Sequence, residues 1–428
     1  MIDIALLREE PELLAEALRR RAVEIDLDGL VELDRRRREV RLRAESLRAE
    51  QKQSGKQIAT LQGPEKEAAI EAASRLATDY RSAAAESEAL DAEFQAIWVT
   101  IPNPPHPSVP DGGGEEDNVE VATWGSRPVF DFEPKDHIDI GEALGLIDVT
   151  RGAKVSGARF AYLTGAAVLL EFALVRWVME RLGAAGFTPV VPPVLVRDEA
   201  LFGTGFFPGA REQVYAVGVS PGEGEPVQGD ELDLAGTAEI PLAALHTDEI
   251  LEEADLPIRY VGFSTCFRRE AGTYGKDTRG IFRVHQFDKL EMFSFCHPDR
   301  SWEEHEFLVS QEEALVRELG LSYRKVNVCV GDLGDPAAKK YDLEAWFPGQ
   351  DAYREVTSCS NTTDFQSRRL RIRYRSPDGP RLVHTLNGTA FAVGRTLIAI
   401  LENFQQGDGS VMVPEVLVPY AGLERIGP

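Results

Sequence analysis

Residues Phe267 to Glu291 read FRREAGTYGKDTRGIFRVHQFDKLE. Arg268, Arg269, Lys276, Arg279, Arg283 and Lys289 crowd this stretch, in a chain whose formal net charge is -24. Its two flanks, STCFRREAG and RGIFRVHQFDKLEMF, read as strands joined by a glycine- and charge-rich loop, that is, as a hairpin. Residues two apart in a strand share a face, so Arg268 goes with Glu270, and Arg283 with His285, Phe287, Lys289 and Glu291. One face then offers guanidinium, carboxylate and an aromatic ring. Arginine grips phosphate oxygens through several donors and a phenyl face stacks on a purine, so the pattern fits a nucleoside triphosphate.

Outward from the hairpin, β-branched runs (TPVVPPVLV, IRYVGFSTCF, LSYRKVNVCV, REVTSCSNT, RLVHTLN) alternate with helical stretches (AAVLLEFALVRWVMERL, SWEEHEFLVSQEEALVREL, VGRTLIAILENFQQ). Strands separated by turns and flanked by a few helices predict an α+β domain built on a largely antiparallel sheet. No GxGxxG and no GxxxxGK[ST] occurs, so neither a Rossmann nor a P-loop nucleotide site is supported.

The N-terminal third is different. Leu30 to Leu61 has no Pro and only Gly55, with Leu and Val punctuating a charged background, and Glu65 to Ile97 resumes helical spacing after Gly63-Pro64. Two such helices fold back as an antiparallel pair, a coiled-coil hairpin roughly 50 Å long at 1.5 Å per residue. A rod of this kind has almost no interior, so its use is reach. Its first helix contains DRRRREVRLRAESLR, Asp34 to Arg48, where the chain turns basic. A solvated face with pairs such as Glu39 to Arg43 is one reading; on an extended arm of an acidic protein, phosphate-backbone binding is favoured. The Pro- and Gly-rich Ile101 to Asn118 reads as a linker. The expected division is therefore 1–100 for the arm, 101–118 for the linker and 119–428 for the body.

A length of 428 residues with 43% hydrophobic composition supports two globular domains, and 47 Lys+Arg against 71 Asp+Glu excludes polyanion binding by the whole surface. Cys266, Cys296, Cys329 and Cys359 stand about thirty residues apart, which fits no metal or disulfide framework and points to reduced thiols in a cytoplasm. The longest apolar stretch contains Glu171 and Arg176, so no membrane span is expected, and the seven histidines show no zinc-binding spacing. His285 sits mid-strand, and a structural role is preferred over that of a base.

The hairpin resembles motif 2 of the class II aminoacyl-tRNA synthetases, in the form carried by the seryl-tRNA synthetase family. NGTAFAVGRTLIAILENFQ, Asn387 to Gln405, resembles motif 3, and GFTPVVPPVLV, Gly186 to Val196, is similar to the dimer-forming motif 1. GTAEIPL, Gly236 to Leu242, resembles the family's serine-binding loop, and the helical hairpin, PNPPHPSVP and VPEVLVPY match as well. The resemblance thus spans nearly the whole chain and implies a class II catalytic domain behind a tRNA-binding arm.

It implies serine activation by ATP, then transfer to the 3′ end of a serine tRNA, with selenocysteine tRNA left open as a second acceptor. Arg268 would hold the α-phosphate and the serine carboxylate, with Arg283 and Arg395 reaching the γ-phosphate and Phe287 and Arg395 sandwiching adenine. Arg269, Glu270, Val284, Val356 and Thr357 complete the ATP site, and Glu355 and Ser358 are hard oxygen ligands for Mg²⁺. Thr237, Ala238, Glu239, Glu291, Asn387 and Thr389, with Arg268, would hold serine, and Arg35, Arg38 and Arg41 would meet tRNA phosphates. The chain would act as a homodimer. Arg395 near a helix start, against the macrodipole, independently hints at an anionic ligand. A ligase charging a carrier protein would need no basic arm, and a non-catalytic RNA-binding paralogue would be expected to have lost phosphate or metal side chains that are all present here.

Overall fold

The computed structural model describes residues 1–218, 232–272 and 279–427. The acidic SPGEGEPVQGDE stretch, Ser220 to Glu231, and the tip of the motif 2 loop with Lys276 lie outside the described residues. The chain divides into two compact units, Ile2–Ile101 and Pro102–Pro428.

In the first unit, α1 (Leu27–Ile58) and α2 (Gly63–Trp98) run antiparallel, tied by Arg36 to Glu86 at 2.9 Å and Arg37 to Asp91 at 3.3 Å. Its 32 residues make α1 about 48 Å long. Pro64 stands in the first turn of α2, where its missing N–H is no loss, so Gly63-Pro64 opens the second helix instead of forming the break. Burial is confined to the half of the hairpin away from its tip: Leu30, Asp34, Ala44, Ala83, Leu90, Phe94 and Trp98 are buried, whereas residues 45–82 are exposed or half-buried throughout.

The second unit is built on strands β1 (Val119–Trp124), β2 (Thr188–Val190), β3 (Ile258–Phe267), β4 (Gln286–Cys296), β5 (Tyr323–Asn327), β6 (Lys339–Phe347), β7 (Ala352–Asn361) and β8 (His384–Ala392). They form one eight-stranded sheet in the order β1-β5-β6-β7-β8-β4-β3-β2. Every neighbouring pair is antiparallel except β2 with β3, as the sequence predicts for a largely antiparallel sheet. The helices are α3 (Ala166–Ala184), α4 (Glu239–Ala244), α5 (Ser301–Glu318), α6 (Phe365–Leu370) and α7 (Val393–Asn403). Leu170, Leu174 and Trp177 recur at helical spacing on α3 and pack with Leu308 of α5, Leu397 of α7 and Leu290 and Met292 of β4 in one continuous core. Alternation along β4 sends Phe287, Lys289 and Glu291 to the opposite face.

Two expectations change in detail. The hairpin strands stop short, at Phe267 and Gln286. One further hydrogen bond, Arg268 N–H to the His285 carbonyl at 3.0 Å, extends the pairing; beyond it the His285 N–H donates to the Arg159 carbonyl, and Glu270 takes a left-handed φ of 49° that ends the extended backbone. The Pro-rich stretch is no free tether either. Asn103 Nδ2 donates to the Pro336 and Thr362 carbonyls at 2.9 and 2.8 Å, and Val109 is buried with Val326 and Val328. Gly280, with φ 73°, also admits no side chain, since a Cβ there would lie 2.1 Å from His137 Nε2. Among the described residues no helix is long and apolar enough to cross a membrane.

Candidate active site

The adjacent strands β3, β4, β8 and β7 bring the motif 2 flanks, the motif 3 segment and REVTSCSN side by side. Their exposed face opens into a cleft lined by Arg268, Glu270, Arg283, Val284, Phe287, Lys289, Glu355, Thr389 and Arg395. Arg268 donates from Nε to the Gly236 carbonyl at 3.0 Å, a bond that fixes the guanidinium without using its terminal amino groups. Its Cζ stands 5.3 Å from the Phe287 ring centroid. Arg268 thereby links the GTAEIPL loop to the aromatic wall. His285 Nδ1 lies 2.9 Å from the Arg268 carbonyl, which can only accept, so the ring donates there and steadies the Arg268 main chain. This is the structural role expected for it.

The other cations of the cleft are already balanced. Arg283 Nη1 meets Glu270 Oε2 at 2.7 Å, and Arg395 Nη1 meets both the carbonyl and Oε1 of Glu355 at 3.1 Å. Arg395 also lies 4.6 Å from the Phe282 ring centroid. Arg269 turns elsewhere, 5.7 Å from the Tyr215 centroid. Glu270 is a non-glycine residue in left-handed backbone at the cleft wall, a conformation that clusters at binding sites.

Glu355 and Ser358 belong to a larger oxygen cluster. Asp342 faces Ser358 across β6 and β7, and Lys340 Nζ is 3.3 Å from Asp342 Oδ2, while Asp342 Oδ1 is buried with no hydrogen-bond partner among the described residues. Burial pushes the Asp342 pKa up, with Glu355 adding to it. For Glu355, whose side chain is partly exposed, desolvation by the cleft wall opposes ionisation, but Arg395, Lys340, Arg268 and Lys289 more than offset it and hold the carboxyl below its usual range. No group of three or more His, Cys, Asp or Glu side chains among the described residues is arranged to enclose a metal. Two carboxylates, one of them with an orphaned oxygen, and a hydroxyl do suit Mg²⁺, which keeps waters and takes its other ligands from phosphates. Val356 is packed in the main core and Thr357 Oγ1 donates to Glu312 at 3.0 Å, so their side chains point away from the cleft and only their main chain can meet a nucleotide.

The residues expected to hold serine converge deeper in the unit. Thr389 Oγ1 donates to Glu291 Oε2 at 3.2 Å, and Lys289 Nζ pairs with the same oxygen at 2.5 Å. Glu239 Oε1 accepts from Asn387 Nδ2 at 3.0 Å and from Gln366 Nε2 at 2.7 Å. Thr237 Oγ1 accepts from the Glu239 N–H at 3.2 Å, and Ala238 is buried in a second core with Leu242 and Phe293. Burial of Glu239, with Glu291 close by, pushes its pKa up to about 7. Two carboxylates beside fixed donors make a site for an ammonium and a small hydroxyl.

Asp342, Lys289 and Gln366 were not among the predicted site residues. Lys289 was readable from the alternation that picked out Phe287 and Glu291. Asp342 and Gln366 reach the cluster only through sheet order and helix placement, which no local pattern announces.

Comparison with known proteins shows the family. Residues 1–105 match the model of the seryl-tRNA synthetase N-terminal domain, and residues 225–404 that of the tRNA synthetase class II core domain (G, H, P, S and T). The serine–tRNA ligases of Thermobifida fusca and Streptomyces coelicolor are 50% and 51% identical, covering 100% and 99% of this chain and 99% and 98% of their own. The crystal structure of seryl-tRNA synthetase from Pyrococcus horikoshii complexed with ATP is 42% identical with a TM-score of 0.91, covering 100% of both chains. That of the cytoplasmic serine–tRNA ligase from Naegleria fowleri with AMP is 35% identical, with a TM-score of 0.87, covering 100% of this chain and 98% of its own. With both domains matched and half of its residues shared over full length, the chain belongs to the seryl-tRNA synthetases, a family of class II aminoacyl-tRNA synthetases.

Proposed function

We propose that the cleft joins L-serine to ATP, giving seryl-adenylate and pyrophosphate, and then passes the seryl group to the 3′-terminal adenosine of a serine tRNA. The observation that carries this reading is Arg268, held by the GTAEIPL loop on one side and lying against Phe287 on the other, between the two subsites. A serine carboxylate oxygen attacks the α-phosphorus, the bond from that phosphorus to the bridging oxygen breaks, and pyrophosphate leaves. The carboxylate is already ionised at neutral pH, so positioning and charge stabilisation suffice and no general base is required. Arg268 neutralises the α-phosphate in the transition state. Adenine stacks on Phe287, and Arg283 and Arg395 exchange their carboxylate partners for phosphate oxygens. In the second step a ribose hydroxyl of the tRNA attacks the seryl carbonyl, releasing AMP and a proton. The ATP and AMP in the two relatives' structures support the nucleotide assignment.

Mg²⁺, when bound, neutralises the phosphate charge, and Glu355, Ser358 and Asp342 are the residues that would hold it. Replacing Glu355 by glutamine is expected to raise the Mg²⁺ concentration for half-maximal ATP–pyrophosphate exchange severalfold, because a neutral amide is a poorer hard-cation ligand. An unchanged Mg²⁺ titration would place the ion elsewhere. A homodimer through motif 1 and the preceding α3 is part of the proposal: Phe172 on α3 and Val191 in motif 1 are 61% and 79% exposed, large apolar groups that suit an interface. Light scattering at micromolar concentration should give twice the chain mass, and a single-chain mass would contradict it. The four cysteines are free and buried, in keeping with a reducing cytoplasm.

A further inference from the structure

Gln366 lies on α6, outside motifs 2 and 3 and outside the GTAEIPL loop, and its side chain is fully buried. Its amide is completely engaged. Nε2 donates to the Thr204 carbonyl at 3.2 Å and to Glu239 Oε1 at 2.7 Å; Oε1 accepts from Thr385 Oγ1 at 2.9 Å. The direction of each bond follows from the groups around it. The Thr385 carbonyl already accepts from the Thr362 N–H at 3.0 Å, and Thr362 Oγ1 stands 2.6 Å from Thr385 Oγ1, a contact filled by the one Thr362 hydroxyl proton. The Thr385 hydroxyl proton is therefore free to go to Gln366 Oε1. The NH₂ end must then face the two groups that only accept, a carbonyl and a carboxylate. A flipped amide would set its oxygen against both.

We infer that Gln366 is a positioning residue for the amino-acid substrate, a buried donor that orients Glu239 and keeps it ionised to receive the serine ammonium. This rests on the reading of Glu239 as a serine-binding carboxylate. Asn387 donates to the same oxygen at 3.0 Å, so the two amides hold Oε1 and leave Oε2 as the oxygen to be offered to the ligand. The charge matters because Glu239 is poorly solvated. Burial and the neighbouring Glu291 raise its pKa to about 7, and Lys289, Gln366 and Arg268 act against that rise. A donor to the ionised form lowers a carboxyl pKa, so losing the Gln366 donor raises it further and leaves Glu239 more protonated at neutral pH. A protonated carboxyl is a weak partner for an ammonium. The defect should then be largest in acid and shrink as pH rises.

The test is ATP–pyrophosphate exchange by the full-length protein from pH 6.5 to 8.5, with KM measured for serine and for ATP. Gln366→Met keeps the side chain's length and removes the donor. It is expected to raise KM for serine at least tenfold at pH 6.5, to leave KM for ATP within twofold, and to show a variant-to-parent ratio for serine that falls several-fold by pH 8.5. The ratio cancels the titration of free serine, which is common to both proteins. Should the methionine variant not fold, Thr385→Val decides: it removes the hydroxyl that fixes the amide, and a smaller serine defect with the same pH trend is expected. A serine defect that does not change with pH, one matched by an equal rise in KM for ATP, or none at all in the variant that folds would overturn the inference. Glu239→Gln separates the two levels. If it leaves KM for serine unchanged, the reading of Glu239 has failed; if it raises KM while Gln366→Met and Thr385→Val do nothing, only the role of Gln366 has failed.

Discussion

Replacing Arg268 by alanine is expected to lower serine-dependent ATP–pyrophosphate exchange by about three orders of magnitude while leaving the fold intact. The size of the loss follows from what surrounds it. Arg283 is paired with Glu270, Arg395 with Glu355 and Lys289 with Glu291, so each neighbouring cation already faces a carboxylate. Arg268 is anchored instead by a carbonyl, through Nε, and contributes its charge undiminished to the space between the subsites. Preorganised charge at a developing anion contributes roughly 10² to 10³ in rate per donor, and a guanidinium supplies more than one donor. Because the Nε bond joins Arg268 to the serine loop, KM for serine should rise together with the fall in kcat. Exchange within tenfold of the parent would remove Arg268 from the chemistry.

The second large effect belongs to the arm. Replacing Arg35, Arg38 and Arg41 by glutamine keeps α1 helical and should lower tRNA charging at 0.1 M salt by about two orders of magnitude, with adenylate formation unchanged. The structure sets the starting point for these side chains. Arg35 is paired with Glu32 and Glu39, Arg38 with Asp34 at 3.1 Å and Arg41 with Glu45 at 3.2 Å. The Arg35 and Arg41 pairs are exposed and readily exchanged for phosphate, and Arg38 can leave Asp34 because that buried carboxylate keeps Arg8 and Arg37. The diagnostic is the salt dependence: the slope of log K for tRNA binding against log salt should flatten by up to about three units if each arginine meets a phosphate. Substitution is cleaner than excision, since cutting out the hairpin would also take the buried Leu30, Asp34 and Phe94 at its base. An unchanged slope would mean that the basic helix is only a solvated face.

Much of this was readable from local pattern because the physics was local. The period of two in Phe287, Lys289 and Glu291 places all three on the face away from Leu290 and Met292, which is where the cleft lies. The apolar spacing of α3 marks the side that packs on the sheet. What escaped depends on distant parts of the chain. Glu270 looks like one more strand residue, yet its left-handed backbone ends the extended segment at the cleft. The Pro-rich stretch after Ile101 has the composition of a tether, but Asn103 finds carbonyls at Pro336 and Thr362, more than two hundred residues away. Asp342 becomes part of the Glu355 cluster only because β6 lies beside β7. Gln366 reaches Glu239 only because α6 brings it there.

In the proposed function one cleft recognises serine by its ammonium and hydroxyl and joins it to ATP. Exchange of labelled pyrophosphate into ATP tests it directly, run with serine, alanine, threonine and glycine on the same preparation. A pocket that hydrogen-bonds the serine hydroxyl leaves its own polar groups unpaired when alanine enters, which is worth roughly 10⁴ in discrimination, whereas crowding against the threonine methyl yields about 10². Rapid exchange is expected with serine, exchange lower by about two orders of magnitude with threonine, and exchange near background with alanine and glycine. Exchange with alanine within tenfold of serine, or no exchange with serine at all, would contradict the proposed function.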